Sequence, residues 1–178
     1  MKALWLQFWS VCRMSRGPED IPHSLKLLLL VLLLDVGLGI TVQWLDGPAS
    51  LQAAVGMTAL AAALDALVLW ALVQFKNVPE RYLQGLTTIY GTDFQMGLLS
   101  LPLVAAGLYL AKVPWLPVIA FAQMLLVGWS LGVRAFVYHR TLMVGVILAN
   151  MLSFTLFLLT VFIVLKLFPE LVPVAAGS

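Results

Sequence analysis

Apolar residues dominate this chain in five long runs that are broken by only a few polar side chains. The runs cover approximately residues 25–45, 51–75, 87–111, 116–133 and 141–168. A membrane-spanning helix needs about 20 mostly apolar residues to cross roughly 30 Å of hydrocarbon. Because each run is close to that length, the pattern predicts five transmembrane helices.

Short polar segments separate the runs, and they read DGPAS, KNVPERYLQG, KVPW and RAFVYHR. Connections of this length make consecutive helices antiparallel neighbours. The predicted fold is therefore all-α, a polytopic five-span bundle over residues 25–168 with a short extracytoplasmic tail over 169–178. Whether residues 87–111 span fully stays open, because Asp93 and Gln95 lie near the start of that run.

An N-terminal segment, residues 1–24, precedes the bundle. Within it, ALWLQFWSVCRM places Trp5 and Trp9 at helical spacing between basic residues. Indole rings favour the headgroup level, where basic side chains also meet anionic lipid. We therefore predict a short cytoplasmic interfacial helix anchored by Trp5 and Trp9.

The stretch RMSRGPEDIPHS follows that helix and has no apolar run. Proline disfavours helix in the residue before it, and glycine tolerates unusual backbone angles, so Gly17-Pro18 and Ile21-Pro22 predict an elbow into the bilayer. A docking motif for a partner is the alternative, because Glu19, Asp20 and His23 are more polar than a turn requires.

Composition supports a membrane class. Hydrophobic residues make up 62% and charged residues 10% of the chain, against roughly 45–50% and 25% in soluble domains. The net charge of +2 is too small to indicate nucleic-acid binding. A single cysteine excludes an internal disulfide, and the histidines and cysteine show no metal-ligand spacing. We predict no cofactor and no metal.

The basic residues are distributed unevenly between the two ends of the predicted spans. With the N-terminus inside, eight fall on one side and only Lys112 and Lys166 on the other. Short cytoplasmic loops carry an excess of Lys and Arg. The asymmetry predicts that this multi-pass protein has a cytoplasmic N-terminus and an extracytoplasmic C-terminus.

Four predicted spans carry a polar residue at a similar distance from their cytoplasmic boundary, namely Asp35, Asp65, Gln123 and Asn150. At 1.5 Å per helical residue they fall about 14–17 Å deep, near the bilayer midplane. The pattern predicts a polar layer across the bundle. Such a layer either joins helices through side-chain hydrogen bonds or forms a proton or cation relay.

Asp93 is predicted to lie closer to the cytoplasmic side than that layer. Arg134 and Arg140 are expected at the same level, so we predict a cytoplasmic-side ion pair between Asp93 and these arginines rather than a catalytic role. No serine-histidine-aspartate set, phosphate-binding loop or dinucleotide glycine motif occurs in the sequence. We predict no catalytic residue.

The layout of five spans, a cytoplasmic N-terminus and very short loops over residues 25–168 resembles the Yip family of small polytopic membrane proteins. The stretches RGPEDIP and LQGLTTIYGTDFQMGLLSLPL also look like proteobacterial inner-membrane proteins. The resemblance implies the bundle and assigns no functional residue. A link to trafficking GTPases does not follow from it, because the long N-terminal region of the eukaryotic members is nearly absent here.

These features favour a non-enzymatic assembly, scaffold or interaction subunit whose partners are the lipid bilayer and a membrane protein or a second copy. A small-solute or proton/cation transporter that uses midplane carboxylates is the alternative, and an intramembrane enzyme is the second alternative.

Overall fold

A computed structural model describes residues 2–46, 50–109 and 116–168. This part of the chain forms six α-helices and no strand: α1 (Lys2–Cys12), α2 (Leu25–Asp46), α3 (Leu51–Phe75), α4 (Tyr82–Tyr109), α5 (Leu116–Leu142) and α6 (Val146–Leu167). The all-α prediction is confirmed. The tail, the KVPW loop and most of DGPAS lie outside the described residues.

Four helices have the length and apolar composition of membrane spans, namely α2 up to Leu45, α3, α5 and α6. The chain is therefore a membrane protein. The predicted span over 87–111 coincides with α4 as far as Tyr109, and α4 does not reach the same apolar content. Four of the five predicted spans thus meet these criteria, and α4 does not.

The segment RAFVYHR was predicted as a loop, and that boundary is wrong. It forms the last turns of α5, and the chain reverses only after Leu142, where Met143 takes a left-handed backbone conformation with φ 52°. Val137, Tyr138 and Leu142 are buried in this part of α5. Packing of these residues against the bundle therefore keeps the segment RAFVYHR helical.

Helix α4 lies at the centre of the bundle and packs against α1, α2, α3 and α5. Its buried threonines donate to main-chain oxygens about one turn earlier. Thr87 bonds Leu83 O at 2.6 Å and Thr88 bonds Gln84 O at 2.6 Å. These bonds satisfy hydroxyls that would be costly in an apolar interior. A polar central helix is tolerated because its neighbours shield it from lipid.

Helix α1 packs into the bundle through one apolar face. Phe8, Val11 and Cys12 are buried on that face. The Phe8 ring lies directly over Gly91 of α4, where a Cβ atom would stand 2.2 Å from Phe8 Cε1. Only a glycine allows the two helices to approach so closely.

Hydrogen bonds fasten both ends of α1. Gln95 Nε2 donates to Trp5 O at 2.9 Å, and Trp129 Nε1 donates to Cys12 O at 2.9 Å. Each bond joins α1 to a different long helix. The N-terminal helix is therefore an integral part of the packed structure, which its sequence pattern did not predict.

The two predicted anchors differ in their surroundings. Trp9 is partly buried and meets Trp129 edge-on, with ring centroids 6.0 Å apart. Trp5 remains 45% exposed and contacts Phe94 at its edge. Trp5 therefore has the free surface that a lipid anchor needs, whereas Trp9 contributes to packing. The headgroup depth of α1 stays a prediction.

The elbow also binds the bundle. Residues Pro18–Asp20 form a short 3-10 helix, Ile21 is buried, and Gln84 Nε2 donates to Ile21 O at 3.0 Å. The exposed side chains of Glu19 and Arg140 form an ion pair. The elbow thus contacts both α4 and α5.

We expect Gly91→Ala to displace the Phe8 ring and to lower the free energy of unfolding by about 1–3 kcal/mol, as overpacking of a filled site does. Gly107→Ala is the matched control on α4, because no atom lies within 4 Å of its added Cβ. Thermal unfolding in detergent measures both. Equal stability of the two variants would contradict the assigned role of Gly91.

Candidate functional site

Three charged side chains meet inside the bundle and form what we call the ion cluster, Asp65, Asp93 and Arg134. Arg134 Nη1 and Nη2 bond the two Asp65 oxygens at 2.8 and 2.9 Å. Arg134 Nη2 also bonds Asp93 Oδ2 at 2.6 Å. The side chains of Arg134, Asp93 and Asp65 are 24%, 18% and 10% exposed. The cluster therefore joins α3, α4 and α5 through their interior faces.

The helix bounds explain why the three groups share one level. Each lies between eight and eleven residues from the helix end on the side of Lys76, Arg81 and Arg140, which corresponds to about 12–17 Å along an α-helix. We call that side the basic end. Arg134 was expected near a span boundary, but α5 continues to Leu142 and carries it inside.

Asp35 of α2 is partly buried and lies near enough to the cluster to interact electrostatically with Asp93, Arg134 and Asp65. In the described part of the chain, Arg134 forms ion pairs with Asp65 and Asp93 and none with Asp35. The site thus contains three carboxyl groups and one guanidinium. Its formal charge is negative when all four groups are ionised.

The structure does not bring the four residues of the predicted polar layer together. Asn150 is exposed on α6 and donates from Nδ2 to Val146 O of its own helix at 2.9 Å. Gln123 is partly buried on α5, and Asp65 pairs with Arg134 instead. Gln123 lies 19 residues from the basic end of α5 and Asn150 four residues from that of α6, whereas Asp35 and Asp65 each lie ten residues from that end of their helices. The four residues therefore differ in depth as well as in direction, because α5 ends later and α6 begins later than the apolar runs predict.

The two arginines expected near Asp93 also separate. Arg134 contacts Asp93, whereas Arg140 pairs with Glu19 of the elbow. Arg140 lies six residues further along α5 and is half-exposed at the basic end, so it cannot reach the interior. Arg81 Nη1 donates to Arg140 O at 3.0 Å and completes this surface contact.

Sequence reasoning missed two residues between the cluster and the basic end, Tyr138 and Thr141. Both are buried, and their hydroxyl oxygens have no hydrogen-bond partner among the described residues. With Arg134 they follow the i, i+4, i+7 spacing of one helix face. That spacing was a usable signal, but the prediction of a loop at this point concealed it.

Cys12 is buried beside Gln95, with Sγ 3.3 Å from Gln95 Oε1. Burial raises the pKa of this thiol to about 12, and the negative charge of Asp93 adds to the effect. The thiolate is the nucleophilic form. Cys12 is therefore a packing residue at neutral pH, and among the described residues no group of His, Cys, Asp and Glu is arranged to hold a metal.

We expect Arg134→Met to lower the free energy of unfolding by about 3–5 kcal/mol, because it leaves two buried carboxylates without a counter-charge. The triple variant that adds Asp65→Asn and Asp93→Asn should recover part of that loss. Arg140→Met is the control and should cost about 0–1 kcal/mol, as exposed ion pairs do. Equal losses from Arg134→Met and Arg140→Met in chemical unfolding would argue against the cluster.

We expect Cys12 in the folded protein to resist a maleimide at neutral pH and to react once the protein is denatured. Because the raised pKa suppresses the thiolate below about pH 12, labelling of the native protein should increase only toward strongly alkaline pH. Mass spectrometry of the labelled chain measures this. Rapid labelling of the native protein near pH 7 would show that the thiol is accessible.

No protein-family model matches the chain, and no curated protein and no solved structure matches it. The site is therefore interpreted from its own geometry.

Proposed function

We propose that the chain is a non-enzymatic assembly or interaction subunit of a bacterial inner membrane. The observation that carries this proposal is the exposed amide of Asn150 on an otherwise apolar helix face. One bond to Val146 O uses one of its two N–H donors. Its remaining polar groups call for a partner, because an unsatisfied amide in hydrocarbon is costly.

The face of α6 around Asn150 has the size and composition of a helix-packing surface. Its exposed residues include Ile147, Met151, Phe154, Leu158 and Phe162. Lipid tails are as apolar as these side chains, so apolar contact alone does not select a protein partner. The amide supplies the directional bond that a lipid tail cannot offer. A second copy of this chain or another membrane helix fits that requirement.

The ion cluster supports the same function by a different route. Arg134 donates hydrogen bonds to both carboxylates of the cluster and so holds α3, α4 and α5 in a fixed arrangement. A rigid bundle suits a subunit that presents a surface. Polar side-chain bonds between helices are worth about 0.6–2 kcal/mol each inside membranes.

The proposed topology has α4 as the fifth span, with the N-terminus in the cytoplasm. Helix α4 has 28 residues, on the order of 42 Å, which exceeds the hydrocarbon thickness. Its polar groups face its neighbours rather than lipid, which accounts for its lower apolar content. Seven of the ten basic residues fall on the side assigned to the cytoplasm and two on the other side, with Arg134 in the interior, in agreement with the positive-inside rule. The Yip-like layout stays a prediction.

We expect Asn150→Leu to weaken association of the chain with itself or with a co-purifying membrane protein by about 3- to 30-fold, the range that one interhelical hydrogen bond gives. Met124→Leu, at an exposed position of α5 outside this face, is the control and should leave association unchanged. Energy transfer between labelled copies in liposomes tests self-association, and detergent co-purification tests a partner. Unchanged association in both assays would remove the proposal.

Proton or cation transport is the second candidate, and the location of Asp35 favours it. Asp35 adds a third carboxyl group beside a cluster whose guanidinium already binds two. We expect Asp35→Asn to abolish flux into proteoliposomes while the protein stays folded, because an amide cannot titrate. Flux that survives this change, or no flux from the unmodified protein, would exclude the candidate.

A further inference from the structure

Two buried hydroxyl groups lie in a line between the ion cluster and the basic end. Tyr138 is one helical turn from Arg134 on the same face of α5, and Thr141 follows within the next turn. Tyr138 is 0% and Thr141 2% exposed. Neither hydroxyl oxygen has a hydrogen-bond partner among the described residues.

Comparable hydroxyl groups elsewhere in the bundle are satisfied by the protein itself. The hydroxyl of Tyr90 donates to Ala62 O at 2.8 Å. The hydroxyls of Thr87, Thr88 and Thr92 donate to carbonyls of α4. Buried polar groups in folded proteins nearly always have a partner, either protein or water. The two exceptions in the described chain are neighbours on one helix face.

A small polar cavity begins where this line ends. It has a volume of about 80 Å³ and is lined by Thr141 together with Glu19, Arg81, Gln84 and Arg140. A water molecule occupies about 30 Å³ in the liquid, so a space of this size accommodates about two molecules. Thr141 therefore lines a cavity with charged side chains at the basic end, while Tyr138 lies one helical turn from Arg134 on the same face of α5.

On the side of the cluster that faces away from the basic end, most buried side chains are apolar. Buried residues of α3 and α4 in that direction are Ala53, Ala54, Met57, Gln95, Met96 and Val104. Five of these side chains offer water no hydrogen-bond partner, and the Gln95 amide already bonds Trp5 O and Cys12 Sγ. The polar route out of the cluster therefore leads toward the basic end.

We propose that water bound to the hydroxyls of Tyr138 and Thr141 connects the ion cluster to the cavity at the basic end. Through this route the cluster exchanges protons with one side of the membrane only. A hydronium ion delivers its proton to an oxygen of Asp65 or Asp93 and leaves as water, while Arg134 keeps its charge. Three further titratable groups face the cluster: Asp35 of α2, Tyr90 of α4 and Cys12 of α1.

This inference goes beyond the assembly role and does not depend on it. Protonation of a cluster carboxylate would weaken a bond between Arg134 and its helix partners, so the packing of α3, α4 and α5 would respond to pH on one side. Neither Tyr138 nor Thr141 contributes to the exposed face of α6. A failure of self-association would therefore leave the inference untouched.

The first experiment compares Tyr138→Phe with Tyr90→Phe in thermal unfolding. If the Tyr138 hydroxyl binds water, both variants lose a hydrogen bond and both unfold at a lower temperature than the parent protein. If that hydroxyl has no partner, Tyr138→Phe removes an unsatisfied buried group and unfolds at a higher temperature. A higher unfolding temperature for Tyr138→Phe would overturn the proposal.

The second experiment follows proton uptake. After a rapid jump from alkaline to acidic pH, the infrared band of protonated carboxyl groups should grow at least tenfold more slowly in Tyr138→Phe and in Thr141→Val than in Tyr90→Phe. Thr141→Val keeps the shape of the side chain and removes its hydroxyl. This variant tests the route if Tyr138→Phe does not fold. Equal rates in all variants, or no change in the band, would overturn the proposal.

The third experiment tests sidedness in a Cys12→Ala background, which removes the one cysteine of the chain. Thr141→Cys should react with a small, charged, membrane-impermeant thiol reagent added from the basic end and not from the other side. Thr87→Cys replaces a buried and hydrogen-bonded threonine of α4, and it should not react with the reagent added from either side. Protection of Thr141→Cys from both sides, or its reaction only from the opposite side, would overturn the proposal.

Discussion

The interaction on which the bundle most depends is the contact of Arg134 with Asp65 and Asp93. A guanidinium presents a planar set of donors that matches two carboxylates at once, and here it joins three helices that are far apart in the sequence. An isolated charge at this depth would be very costly. Each member of the cluster therefore requires the others, and the positions of α3, α4 and α5 relative to one another follow from that requirement.

The central position of α4 is the second constraint. This helix carries the most polar inner face of the long helices, and it is accommodated because other helices surround it. Its threonines bond main-chain oxygens, Gln95 bonds α1, and Asp93 bonds Arg134. Glycine at position 91 lets α1 pack closely against it. The N-terminal helix thus covers polar surface that lipid could not.

The interior and the exterior of the bundle differ in how their polar groups are bonded. Inside, charges and amides are largely bonded to one another, with the hydroxyls of Tyr138 and Thr141 as the exceptions. Outside, α6 presents an apolar face with the amide of Asn150 in it. The exterior is suited to a partner helix, and the interior exceptions lie between the ion cluster and the cavity at the basic end. Both features arise where a polar group has hydrogen-bonding capacity that the described residues do not use.

Hydrophobic run length and composition were sufficient to establish the membrane class, the all-α architecture and the approximate positions of four spans, because the bilayer imposes those properties on any spanning helix. The sequence predicted Asp65 in the interior, but it predicted Asp93 nearer the cytoplasmic boundary than the structure places it, because α4 begins at Tyr82, before the apolar run starts. It did not determine which polar groups meet. Arg134 was expected at a boundary because the sequence predicts a loop at RAFVYHR, where α5 continues to Leu142. Asn150 was expected at the midplane, but it lies four residues after the start of α6 and is exposed. Only the packing of the helices, and the extension of α5 to Leu142, placed Arg134 among the carboxylates and left Asn150 outside.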